Sequence, residues 1–197
     1  MIGPSRDAIV RAAASLAITD GLAGVSIGSL AAALGIPKSG LRAHFRSATE
    51  LQLATVAEAA RIFAAEVMQP ALAAPSGLAQ LTAVCEAFFA YLERRTFPGG
   101  CFLASAALEM GVRPGPVSEL LGQVQSRFGA LIRGSAAAAV EQNELPADED
   151  PDRLAFELNG IMLATDTNFV LHDDPDVLHL ARQIVYQRLG GSAAQAG

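Results

Sequence analysis

The chain has 197 residues, 51% hydrophobic and 17% charged, with a net charge of −6 and two cysteines. That length buries a real core, as one large domain or as a small one plus a medium one. The alanine-rich composition has no alternating Val/Ile/Thr runs, which argues against a β-fold and for helices throughout. The acidic total argues against nucleic acid, yet the charge is uneven. Residues 1–50 carry five Lys/Arg against three Asp/Glu, a net +2 that leaves −8 for residues 51–197. A slightly basic head on an acidic body can still meet DNA, because the body repels the duplex and aims the head at it.

Ser5 to Thr19 predicts a first helix, with Ile9, Ala13 and Leu16 on one face and Gly21 beyond its end. Gly21 to Val25 is a connector. In the run from Ser26 to Arg46, Ile27, Leu30 and Leu34 form one apolar stripe, with Ser26 placed to cap it and Gly35 to end it. Pro37 has no N–H and biases Ile36 away from helical dihedrals, so this helix stops there. A third stripe, Leu41 and Phe45, packs back onto Leu30 and Leu34. Lys38, Arg42 and Arg46, at steps of four, then share another face with Ser39 and Ala43. Two helices joined by a short Gly-containing turn, the second with a basic face, make a helix-turn-helix.

Ser47 and Glu50 form an S-x-x-E capping box that opens a fourth helix, expected to end near Met68 because Pro70 follows. This helix, 48–68, connects a head of residues 1–50 to a body of residues 69–190, with the boundary in Gln69 to Gly77. Five helical segments follow: Leu78 to Thr96, Cys101 to Met110, Val117 to Asn143, Asp152 to Leu171, and a last one capped by Asp174 that closes near Leu189. The breaks between them are FPGG (97–100), GVRPGP (111–116) and PADEDP (146–151). Residues 191–197 read as a disordered tail. The fold class is all-α with about nine helices.

The last two helices carry more apolar residues than one stripe holds, so they are expected to be buried on two sides. One side faces the body, and a symmetric homodimer supplies cover for the other. The expected interface is Leu154, Leu158, Ile161, Val177, Leu180, Ala181 and Ile184, with Phe156, Leu163 and Val170 pointing elsewhere.

Other classes find little support. The first ten residues lack the apolar core of a signal peptide, and Leu154 to Leu171 holds Glu157, Asn159, Asp166 and Asn168, too polar for a lipid span. No membrane association and a cytoplasmic location are expected. Cys85 and Cys101 have no metal-ligand spacing and read as buried thiols. His44, His172 and His179 fall in no metal or triad spacing, and no phosphate loop is present. No enzymatic activity, metal or resident cofactor is expected.

The order Leu30, Ala31, Leu34, Gly35, Ile36, Ser39, Gly40, Leu41, His44, Phe45, Ser47, Glu50, Leu51 resembles the TetR family of one-component transcriptional regulators over roughly residues 5–55. FPGGC followed by RPGPV also resembles one branch of that family. The resemblance implies that the second helix crosses the DNA backbone and the third enters the major groove. By position, it implies DNA contacts at Ile27, Gly28, Lys38, Ser39 and Arg42, and phosphate contacts at His44 and Arg46. Two positions depart from the pattern: Arg42 stands where the family tends to place an aromatic residue, and Ala48 where a lysine is common. The guanidinium can read guanine or grip a phosphate.

The expected function is therefore a DNA-binding regulator, a repressor released from a palindromic operator by an unidentified small-molecule effector. An effector pocket is expected among Phe63, Phe88, Tyr91, Phe102, Met110, Phe128, Phe156 and Met162, with Asn159, Asp166 and His172 as polar groups. Two alternatives stay open: a thiol redox-responsive regulator acting through Cys101, and a helical interaction module that does not bind DNA.

Overall fold

The computed structural model describes residues 5–190; the tail expected over 191–197 lies outside them. Every regular element among the described residues is helical: α1 (Arg6–Asp20), α2 (Ile27–Leu34), α3 (Lys38–Arg42), α4 (Ala48–Phe63), a π-helical turn (Ala64–Met68), α5 (Gln69–Ala73), α6 (Leu78–Glu93), α7 (Phe102–Met110), α8 (Pro116–Glu141), α9 (Pro151–His172) and α10 (Asp176–Arg188). With α4, the π-turn and α5 taken as one continuous helix, these are the nine helices expected. No described helix is long and apolar enough to cross a membrane.

The fourth helix does not stop at Pro70. Gln69 N–H bonds the carbonyl of Ala64, five residues back, and the chain stays helical to Ala73. Proline in a regular helix loses a bond and crowds the preceding turn. Here the wide turn lies just before it, and Pro70 sits in the first turn of α5, where an N–H is dispensable. The last helix starts one residue later than expected, at Asp176, whose N–H bonds Asp174 Oδ1 at 2.9 Å.

The described residues divide into two compact units, one holding 5–62 and 97–125, the other 63–96 and 126–190. The division differs from a break at 69–77: the FPGG turn, α7 and the first part of α8 group with the head. In the first unit, Ile9, Val10, Ala13, Leu22, Val25, Leu30, Leu41, Phe45, Leu51 and Val56 are buried, as are Phe97, Phe102, Leu103 and Ala106. Gly99 explains part of this grouping, since a Cβ there would collide with Cγ2 of Ile18 at the end of α1.

In the second unit α6 is central, in contact with the π-turn, α5, α9 and α10. Its buried residues Leu81, Val84, Cys85, Phe88, Phe89, Tyr91 and Leu92 form one broad face, and Ala79, Glu86 and Glu93 lie exposed opposite it. Arg188 joins α10 to the start of α9, donating to Glu149 at 2.9 Å and to Glu157 at 2.7 Å.

Candidate nucleic-acid interface

The interface is built from local chemistry around α2 and α3. Ser26 Oγ accepts the N–H of Ser29 at 3.0 Å while Ser29 Oγ accepts the N–H of Ser26 at 3.0 Å, a closed capping box made of two serines. Gly35 ends α2 in the left-handed region, φ 62°, and the N–H of Ile36 returns to the carbonyl of Ala31. Pro37 then supplies the extended residue that precedes α3.

α3 is regular only over Lys38–Arg42, shorter than a rod reaching Arg46. The chain still turns helically, since the N–H of Phe45 bonds the carbonyl of Leu41 at 2.9 Å. Leu41 and Phe45 are fully buried with Leu30, and Arg6 lies over the Phe45 ring at 4.9 Å. With that apolar backing turned inward, Lys38, Ser39, Arg42 and Arg46 are exposed, and Ile27, Gly28 and His44 are half-buried. The Lys38 ammonium lies beside Gly28, 3.7 Å from where a Cβ would stand, so the two helix starts meet at one place. Of the seven residues expected to touch DNA, the structure sets Gly28 and Lys38 side by side and leaves each of the seven exposed or half-buried.

Their charges are available. Arg11 and Arg61 both bond Glu58, at 3.4 and 2.8 Å, and the hydrogen bond from Arg61 holds the Glu58 carboxyl below its ordinary range. Among the described residues, Lys38, Arg42 and Arg46 pair with no carboxylate. Glu50, the acid nearest them in sequence, accepts the backbone N–H of Arg46 at 2.8 Å, while Ser47 Oγ caps Glu50 N–H at 3.1 Å. Three exposed cations that pair with no carboxylate among the described residues can bind the phosphates of a duplex.

Two side chains that the motif does not contain hold the connector before α2. Gln52 Nε2 donates to the carbonyl of Leu22 at 3.0 Å and to that of Val25 at 3.4 Å. Glu109, from α7, accepts the N–H groups of Leu22 at 2.6 Å and Ala23 at 2.9 Å. A contact between residues 87 apart leaves no periodic trace in one sequence.

The expected effector residues separate. Phe63, Phe88, Tyr91 and Phe128 meet in the second unit, with ring centroids 5.0 Å apart for Phe63–Phe128 and 5.7 Å for Phe63–Tyr91, both edge to face. Met162 and Asp166 are buried on α9 in the same unit. Phe102 and Met110 belong to the first unit, where Phe102 stacks on Phe97. Phe156 is 81% exposed, and Asn159 and His172 are exposed too, so these three point to solvent and line no buried site in the chain.

The expected dimer face is also corrected. Leu154, Leu158 and Ala181 are buried within the chain itself and present nothing to a partner. Ile161 and Val177 are half-buried, while Leu180 and Ile184 are 53% and 41% exposed. The reason is geometric: Leu154, Leu158, Met162 and Phe169 follow one face of α9, and that is the face turned to the core. Phe156, Leu163 and Val170, at steps of seven, form the outward stripe.

The thiols are equally clear. Cys85 and Cys101 are buried thiols, and burial pushes the Cys85 pKa up to about 12, so its reactive thiolate is scarce at neutral pH. Among the described residues, no group of three His, Cys, Asp or Glu side chains is placed to hold a metal ion.

Residues 77–185 match the family model described as the tetracyclin repressor-like C-terminal domain. Solved structures share the fold over nearly the whole length. A TetR transcriptional regulator from Chloroflexus aurantiacus J-10-FL is 24% identical, with a TM-score of 0.83 over 92% of this chain and 91% of that one. A TetR-family regulator from Streptomyces coelicolor is 20% identical, with a TM-score of 0.77 over 92% of each. AibR, solved in complex with isovaleryl coenzyme A and operator DNA, is 19% identical, with a TM-score of 0.70 over 91% of this chain and 95% of that one. No curated protein matches the chain in sequence.

Proposed function

Because the chain belongs to the TetR family of transcriptional regulators, we propose that it is a homodimeric repressor released from a palindromic operator by a small molecule. The observation that carries this reading is the exposed, unpaired trio Lys38, Arg42 and Arg46 seated on fully buried Leu41 and Phe45. In this reading α3 enters the major groove, Ser39 and Arg42 face base edges, and Lys38, His44 and Arg46 engage phosphates. The two copies place α3 in successive grooves, with half-site centres about 34–36 Å apart or a multiple of that.

A second copy is the natural cover for α9 and α10. Phe156, Leu163, Val170, Leu180 and Ile184 expose large apolar side chains on two helices that pack on each other. Gly160, on the same stripe, has no neighbour within 4 Å of where a Cβ would stand, so a partner helix can come close there. A face of this kind is self-complementary under a two-fold axis.

The effector site of this reading is the aromatic group Phe63, Phe88, Tyr91 and Phe128. Rings meeting edge to face leave little free space, so a ligand must part them and will favour whichever conformation lets them part. AibR, of the same fold, was captured with both a small molecule and operator DNA, which supports a two-site scheme. Buried thiols, one with a raised pKa, favour this scheme over redox sensing.

The test is selection of duplex fragments from a random library by the purified protein. Enrichment of a palindrome with fixed half-site spacing is expected. Recovery of no common sequence, or of a single unrepeated half-site, contradicts the dimeric operator reading.

A further inference from the structure

We infer that Glu109, on α7 and far from the helix-turn-helix in sequence, is a positioning residue for DNA binding, acting with Gln52 as a two-sided clamp on the connector before α2. The inference rests on the DNA-binding reading above and names a determinant outside the motif. Residues 21–25 form an irregular turn whose polar backbone groups need partners. Gln52 takes the carbonyls of Leu22 and Val25, and the Glu109 carboxylate takes the N–H groups of Leu22 and Ala23 at 2.6 and 2.9 Å. Donor and acceptor sides are thus held by different helices, α7 and α4. Hydrogen bonds to a carboxylate are the stronger kind.

The clamp is built in on both sides of the contact. Gly21, at φ 74°, takes a conformation that side chains resist, and a Cβ there would stand 2.9 Å from Glu109 Oε1. A side chain at residue 21 would thus strain the backbone and make the carboxylate shift from its present place. α7 is itself set against α1 by the FPGG turn, where Gly99 lets Ile18 approach. The connector runs from Leu22 straight into the Ser26–Ser29 capping box and then to Ile27 and Gly28, the α2 positions that face DNA. A shift of the connector moves those positions and, through the Lys38–Gly28 approach, the start of α3.

The experiment uses the full chain and a duplex selected by the wild-type protein. Wild type, Arg42→Ala, Glu109→Gln and Glu109→Ala are compared for affinity across a salt series, for melting temperature, and for amide exchange at Leu22 and Ala23. Both Glu109 variants are expected to bind at least roughly tenfold more weakly, the scale of one charged hydrogen bond. Their dependence on salt should also flatten as phosphate contacts fall out of register. A purely structural residue would lower the melting temperature and leave that salt slope in place. Should Glu109→Ala fail to fold, Glu109→Gln keeps one acceptor and decides the matter. Faster exchange at Leu22 and Ala23 with unchanged affinity and slope overturns the clamp alone, provided Arg42→Ala is impaired. A wild-type protein with no salt-dependent DNA binding overturns the clamp and the DNA-binding reading together.

Discussion

α3 and α9 use their apolar residues in opposite ways. α3 and the turn after it hold one small stripe, Leu41 and Phe45, and that stripe is buried, so every other side faces out. α9 is apolar on two sides. Its core side is Leu154, Leu158, Met162 and Phe169, and its outer side is Phe156, Leu163 and Val170. Where a helix has one stripe, periodicity says which face is buried and therefore which is free to bind. Where it has two, periodicity says only that both are covered, not which is covered by its own chain.

Paired substitutions break or sharpen this contrast, and the largest effect belongs to α9. Leu158→Glu places a charge in the core and should unfold the second unit, costing about 4 kcal/mol or more. Phe156→Glu, two residues away, should leave the melting temperature within a few degrees and convert a dimer to a monomer by sedimentation. An unfolded Phe156→Glu, or a dimeric one, would show that the outward stripe has another role.

On the α3 side, Phe45→Ala removes the fully buried backing ring and should cost about 3–5 kcal/mol in urea unfolding. A smaller effect comes from the ties that close the second unit. Arg188 holds the Glu149 and Glu157 carboxyls below their ordinary range through its hydrogen bonds. Carboxyls depressed in the folded state add stability above the unfolded value of about 4.3, and this is lost as pH falls through their lower folded values. Arg188→Ala should therefore cost about 1–2 kcal/mol at pH 7 and show a shallower acid limb than wild type. The smallest effect is expected at Cys85: with its pKa near 12, it should resist alkylation at pH 7 in the native protein and react once denatured.

Much of the fold could be read from residues that act locally. Ser26, Gly35 and Pro37 set the ends of α2 and the start of α3 through hydrogen bonds within five residues, and such signals survive in a single sequence. Pro70 misled because a π-turn beside it absorbs the missing N–H, a remedy that has no residue signature. The grouping of α7 with the head, and Glu109 with it, depends on contacts nearly ninety residues apart. Periodicity carries no information about such partners. The aromatic residues of the body showed the same limit: their spacing marked them as apolar but could not separate Phe102 from Phe63 or turn Phe156 outward.

The claim that α3 presents its cations to a duplex is tested most directly by the salt dependence of DNA binding in the wild type and in Arg42→Ala. Log affinity should fall linearly with log salt for the wild type, and the variant should lose about 1–3 kcal/mol of binding on its selected site. If Arg42 grips a phosphate its slope drops by about one, and if it reads a base the loss appears as reduced discrimination between sites. Equal affinity, slope and discrimination in the two proteins would contradict the account.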